Sequence, residues 1–123
     1  MRILKIVSIV DDDEFVRSAT SSLVRSFGWR ISAFESAIQF LGSDAIKETE
    51  CLICDVQMPG MTGLELQRYL NERKILIPTV FITGYPSDRL REELIANGAL
   101  CLLEKPLDSS ELAFWLKQIL ANR

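Results

Sequence analysis

Short apolar runs alternate with stretches of helical period along the whole chain, and that alternation leaves few folds open. The clearest runs are Ile6-Val7-Ser8-Ile9-Val10, Cys51-Leu52-Ile53-Cys54, Thr79-Val80-Phe81-Ile82 and Leu100-Cys101-Leu102-Leu103. Each is too short for a helix and apolar at successive positions rather than alternate ones, which is the pattern of a strand buried on both faces. Two-sided burial with helices between the strands calls for a parallel sheet covered by helices on each side. The fold class expected is therefore α/β, a doubly wound parallel sheet. Periodicity alone leaves the strand order open.

The first strand is expected at about Lys5–Val10, followed by a helix with Phe15, Ala19, Leu23 and Phe27 at i+4 spacing and a stop at Gly28. Arg30–Phe34 reads as a short second strand, and Ser36 as the N-cap of a helix carrying Ala37, Ile38 and Leu41. Cys51–Cys54 is the third strand. Thr62 and Glu65 have the spacing of a capping box for a helix with Leu66, Tyr69 and Leu70. Pro78 opens the fourth strand, Ser87 starts a helix with Leu90 and Leu94, and Asn97-Gly98 closes it. Leu100–Leu103 is the fifth strand. Asp108 and Glu111 form a second capping box before the stripe Leu112, Trp115, Leu116, Ile119 and Leu120. No linker, repeat or low-complexity stretch interrupts the series, so residues 1–123 are expected to form one domain.

Composition narrows the function classes. A chain of 123 residues with 48% hydrophobic side chains suits one ordinary domain with a real core. A formal charge of -3 gives no reason to expect direct nucleic-acid or anionic-membrane binding. The start, Met1-Arg2-Ile3-Leu4-Lys5-Ile6, is too short and too interrupted for a signal peptide, and no apolar run would span a bilayer. A soluble cytoplasmic protein is the expectation. There is no His, which removes several catalytic schemes and many zinc sites. Cys51 and Cys54 spell C-x-x-C, but an offset of three within a strand puts them on opposite faces, where they can neither bridge nor share a metal.

The chemistry-bearing residues fall at strand ends. Asp11-Asp12-Asp13 follows the first strand, Asp55 the third, Thr83 the fourth, and Lys105-Pro106 the fifth. In open parallel sheets, sites form outside the carboxyl ends of the strands. Taken singly, each has an ordinary reading: a solvated turn, a residue before a turn, a surface lysine. Together they suggest a hard divalent cation that relieves repulsion among Asp11, Asp12 and Asp55. Beside it stand a nucleophilic carboxylate, a hydroxyl donor and an ammonium for phosphate oxygens. A cis Lys105–Pro106 bond would fix where that ammonium points.

The segments IVDDD at 9–13, CDVQMPGMTG at 54–63, ITG at 82–84 and EKP at 104–106 resemble the receiver domain of response regulators in bacterial two-component systems. The resemblance runs from about Ile6 to Leu120 and is strongest to receivers attached to LuxR-type helix-turn-helix regulators. It implies a five-stranded flavodoxin-like (βα)₅ sheet in the order 2-1-3-4-5. It implies Asp55 as phosphoacceptor, taking a phosphoryl group from a sensor histidine kinase or phosphotransfer protein, and Thr83 and Lys105 as its contacts. It assigns Mg²⁺ or Mn²⁺ to Asp11, Asp12, Asp55 and the backbone carbonyl of Gln57. Self-catalysed phosphoryl acceptance and autodephosphorylation would be the only chemistry, and control of an output partner, by expectation transcription, the purpose. These 123 residues do not themselves contain a DNA-binding output domain, so the expectation is either a stand-alone receiver or one piece of a longer regulator. The implied output surface is the fourth helix, fifth strand and fifth helix, with Arg89, Arg91, Glu92, Glu93, Leu102 and the Trp115 helix, and it offers a phosphorylation-dependent homodimer.

The chain departs from the family pattern at Leu102 and Leu107, where aromatic residues are common, so a ring-rotation switch at Leu102 is not expected. Gln57 and Tyr85 fall where the family flanks the hydrolytic water; Tyr85 either shields the acyl phosphate or is an exposed loop aromatic. Two other classes compete. A phosphorylation-independent binding module fits poorly with the full set Asp11, Asp12, Asp55, Thr83 and Lys105. An aspartyl phosphatase of the haloacid dehalogenase type needs a second acid two residues after its nucleophile, and Gln57 stands there.

Overall fold

The structure, a computed structural model, describes residues 6–121 apart from the side chain of Leu120. Lys5, expected in the first strand, and Leu120 of the last apolar stripe lie outside the described residues. The element order is β1 (Ile6–Val10), α1 (Glu14–Ser26), β2 (Arg30–Phe34), α2 (Ala37–Leu41), β3 (Thr49–Asp55), α3 (Gly63–Glu72), β4 (Thr79–Thr83), α4 (Asp88–Ala96), β5 (Cys101–Glu104) and α5 (Ser109–Ala121). The five strands form one sheet in the order β2-β1-β3-β4-β5, and every pairing is parallel.

The strands sort their side chains by the period of two. Val7, Ile9, Cys51, Ile53, Val80 and Ile82 enter one core with Val24 of α1 and Leu112 and Leu116 of α5. Val10, Leu52, Cys54 and Phe81 enter the other with Phe40 of α2, Leu66 and Leu70 of α3 and Leu94 of α4. Cys51 and Cys54 therefore sit on opposite faces, both buried and free. Burial pushes both thiols well above their ordinary range, which suits inert packing rather than redox chemistry.

Local signals place the helix starts. Thr62 and Glu65 make the reciprocal capping box, with Glu65 N–H donating to Thr62 Oγ1 at 3.2 Å and Thr62 N–H to Glu65 Oε1 at 2.9 Å. Ser36 and Ser87 accept from Gln39 N–H and Leu90 N–H. Asp108 Oδ1 accepts from Ser110 and Glu111 N–H, so the Asp108 half of the second box is in place.

The structure corrects four expectations. On α1 the buried residues are Thr20, Ser21 and Val24, with Val16, Leu23 and Phe27 packed against the core; Ala19 is exposed and Phe15 is 86% exposed. Of the i+4 ladder, Leu23 and Phe27 thus face the core and Phe15 and Ala19 do not. On α2, Phe40 is buried and Ile38 faces solvent, because the short helix lays Ala37 and Phe40 inward at i, i+3. β3 begins at Thr49, after a short 3-10 turn at Asp44–Lys47 that hydropathy alone does not mark. Its polar start is accounted for: Thr49 Oγ1 donates to Ala45 O at 2.6 Å and meets buried Ser8 Oγ at 2.7 Å. Leu102, grouped with the output surface, is buried between α4 and the sheet. The exposed apolar residues on those helices are Ile95 and Phe114.

Candidate functional site

Parallel pairing sets the strands so that their last residues share one edge. Val10 lies beside Cys54, Asp55 beside Ile82, and Thr83 beside Glu104. The residues following or ending these strands are Asp11, Asp55, Thr83 and Lys105, as the sequence predicts. Asp11 is fully buried and Asp55 is 4% exposed, while Asp12 is exposed at the rim.

Carboxylate oxygens of Asp11, Asp12 and Asp55 all lie within 4.8 Å of one another. The Lys105 ammonium sits between two of these acids, 3.2 Å from Asp11 Oδ2 and 3.3 Å from Asp55 Oδ1. The peptide bond after it, Lys105–Pro106, is cis. Burial raises the Asp55 carboxyl from its ordinary 3.8 to about 6; the neighbouring Asp11 charge adds to the rise and Lys105 opposes it. Burial pulls the Lys105 ammonium down, but Asp55 and Asp11 outweigh it and hold the group above its ordinary value.

The backbone around the acids is tied down. Asp11 Oδ1 accepts from Asp13 N–H at 2.9 Å, and Asp13 in turn caps α1 by accepting from Phe15 and Val16 N–H. Arg17 reaches back from α1 and donates to the main-chain oxygen of Asp11 at 2.7 Å. Asp13 is thus a cap, not one of the three clustered acids. Asp11 Oδ2 is buried and accepts no hydrogen bond among the described residues, so Lys105 meets it as a charge at 3.2 Å without hydrogen-bond geometry. A buried carboxylate oxygen met only by the Lys105 charge, beside two more acids, belongs to a donor set that suits a hard divalent cation.

Thr83 is fully buried, and its hydroxyl donates to Gln57 Oε1 at 2.7 Å while accepting from Tyr85 N–H at 3.1 Å. Tyr85 is 82% exposed on the loop after β4. Gly63, at the first turn of α3, lets that helix start against the end of β3. A Cβ there would lie 2.5 Å from Asp55 O and 2.9 Å from Phe81 Cε1. Arg17 escapes a reading of the sequence by motif, and Gly63, the last residue of the segment CDVQMPGMTG, is quoted there without its packing role. The hint for Gly63 is a glycine directly after a strong N-cap, where helix propensity disfavours it.

Comparison with known proteins agrees with this geometry. The profile of the response regulator receiver domain matches residues 7–117. The chain is 42% identical over 107 residues to response regulator protein TmoT of Ectopseudomonas mendocina, covering 87% of this chain and 49% of that protein. It is 35% identical over 106 residues to transcriptional regulatory protein FixJ of Azorhizobium caulinodans, covering 86% of this chain and 50% of that one. The crystal structure of FixJ-N superposes with a TM-score of 0.82 at 30% identity, covering 97% of this chain and 94% of that structure. The chain thus spans about half the length of the curated relatives it matches. Among the described residues, no helix is long and apolar enough to cross a membrane.

Proposed function

The chain belongs to the response-regulator receiver family, a signalling domain of two-component systems, and on that premise we propose that Asp55 accepts a phosphoryl group from a sensor histidine kinase or phosphotransfer protein. Residues 1–123 act as a single receiver domain in the cytoplasm. The observation that carries the reading is the cluster itself: three carboxylates within 4.8 Å, with one ammonium bridging Asp11 and Asp55.

An oxygen of Asp55 attacks phosphorus; the P–O bond forms as the P–N bond of the phosphohistidine breaks, leaving an acyl phosphate. Phosphoryl transfer asks the protein mainly for positioning and charge. Lys105, already within 3.3 Å of Asp55, is placed to follow the phosphoryl oxygens, and Thr83 supplies a hydroxyl donor. Asp11, Asp12, Asp55 and the backbone carbonyl of Gln57 would hold Mg²⁺ or Mn²⁺, with Asp11 Oδ2 shared between that ion and the Lys105 charge. Such an ion, when bound, supplies charge neutralisation for the acids and the phosphoryl oxygens. Water later hydrolyses the acyl phosphate, so the protein times a signal rather than turning over a substrate.

The output is control of a partner, in keeping with relatives that include transcriptional regulatory protein FixJ. A DNA-binding domain is the partner class in view, and a homodimer through α4, β5 and α5 is the form the switched state takes. Exposed Ile95 and Phe114 on those helices support that surface.

Intact mass after incubation with acetyl phosphate, with and without Mg²⁺, tests the core of the proposal. A Mg²⁺-dependent gain of about 80 Da in the wild type, absent in Asp55→Asn, is the expected result. No gain at any metal concentration, from either acetyl phosphate or a phosphorylated histidine donor, would overturn it in favour of a phosphorylation-independent binding module.

A further inference from the structure

The hydroxyl that is to serve a phosphoryl group is already engaged. Thr83 Oγ1 donates to Gln57 Oε1 at 2.7 Å and accepts from Tyr85 N–H at 3.1 Å. A hydroxyl has one proton to give. That proton goes to the Gln57 amide oxygen, which can accept it where the NH₂ could not, while Oγ1 accepts from Tyr85 N–H. Thr83 is fully buried, so a hydroxyl without that partner would carry the cost of an unpaired buried donor.

We propose that the Gln57 side chain is a latch, a positioning residue that holds the Thr83 hydroxyl in the phosphoryl-free state. Switching then consists of exchanging the Gln57 bond for one to a phosphoryl oxygen. The inference rests on Asp55 as phosphoacceptor. It assigns to the Gln57 side chain a task separate from that of its backbone carbonyl. The proton stays on Thr83 throughout: one O–H···O contact breaks, another forms, and the released Gln57 oxygen turns to water, since Gln57 is an exposed residue.

One oxygen atom thereby joins two loops. Gln57 lies between β3 and α3, and Tyr85 between β4 and α4. When Thr83 turns toward the phosphoryl group, the Tyr85 N–H loses its acceptor, so the loop after β4 is released by the same movement. A local exchange of hydrogen bonds biases a two-state element.

Two measurements on the folded protein test the latch. The first is hydrogen exchange at the Tyr85 amide, read without metal or phosphoryl donor. Gln57→Leu removes the acceptor and should speed exchange about fivefold or more, whereas Gln57→Glu keeps an acceptor and should stay near the wild type. The second is affinity for beryllofluoride with Mg²⁺, a stand-in for the phosphoryl group. Gln57→Leu should bind it about 5–10 times more tightly, and the gain should vanish in a Thr83→Val background, where no hydroxyl remains to be held. Unchanged Tyr85 exchange in Gln57→Leu, or an affinity gain of equal size with and without the Thr83 hydroxyl, overturns the latch. A wild type that binds no beryllofluoride counts against Asp55 as phosphoacceptor instead, and the exchange experiment still decides the latch.

Discussion

Replacing Asp55 by Asn should stabilise the metal-free protein at neutral pH. Asp55 is 4% exposed and shares its pocket with the buried acid Asp11, so folding forces an ionised carboxylate out of water and beside a like charge. The Lys105 ammonium at 3.3 Å offsets only part of this, and the carboxyl stands at about 6 instead of 3.8. That difference corresponds to about 3 kcal/mol between its protonation states. A carboxyl with a raised folded value binds its proton more tightly folded than unfolded. Its contribution to stability is complete below 3.8 and lost as pH rises through about 6. Asn imitates the neutral form at every pH but reproduces its hydrogen bonds imperfectly, so a gain of about 2 kcal/mol is expected at pH 7, or roughly 5–10 °C in Tm. Urea titrations in EDTA, followed by fluorescence of buried Trp29, would measure it from pH 4 to 8. The gap between variant and wild type should be widest above pH 6 and close toward pH 4, and added Mg²⁺ should narrow it by favouring the wild type. A variant no more stable than the wild type at pH 7, or a gap indifferent to pH, would refute the electrostatic account of the site.

Three further outcomes follow from the same coordinates. Gly63→Ala should lose about 1–3 kcal/mol and slow phosphoryl uptake, because its Cβ would press on Asp55 O at 2.5 Å; a loss below about 0.5 kcal/mol in urea would show that α3 can step aside. Lys105→Ala removes the cation between Asp11 and Asp55, so calorimetry should find Mg²⁺ bound several-fold more tightly while acetyl phosphate no longer adds mass; weaker Mg²⁺ binding would contradict the assigned charge balance. Phe40→Ala should cost about 3–5 kcal/mol and Ile38→Ala under about 0.5, and comparable losses would mean the face of α2 is misplaced.

The inner strands of the sheet are legible in this chain because they are buried on both sides, unlike the edge strand β2. Ile6–Val10 and Thr79–Thr83 bury every residue, and no choice of face has to be made to recognise them. The caps are legible for a different reason: Thr62 with Glu65, Ser36, Ser87 and Asp108 satisfy helix N–H groups within a few residues of themselves. The helix faces are less so. Along α1, Phe15 and Ala19 continue a plausible i+4 ladder, yet the buried side includes Thr20 and Ser21, whose polarity hides it; Ser21 is at ease there because its hydroxyl donates to Arg17 O at 2.8 Å. The choice between neighbouring faces is made by contact with β2 and β1, and periodicity in a single helix carries no record of it.

The same distinction governs the site. Chain order puts Asp11, Asp55, Thr83 and Lys105 at strand ends, and parallel pairing brings strand ends together, so those residues are visible before any coordinates are. Rotamers and partners are another matter. Chain order does not say that the Thr83 hydroxyl donates to Gln57 Oε1, a choice of partner worth about one hydrogen bond. Gln57, two places after Asp55, reads in the sequence as a metal-binding carbonyl, a flank of the water path and the acid a phosphatase would lack, whereas in the fold its side chain is the acceptor for the Thr83 hydroxyl at 2.7 Å. Its side chain is therefore where relatives with the same acids, hydroxyl and lysine can differ in how readily they switch, without any change in the chemistry at Asp55.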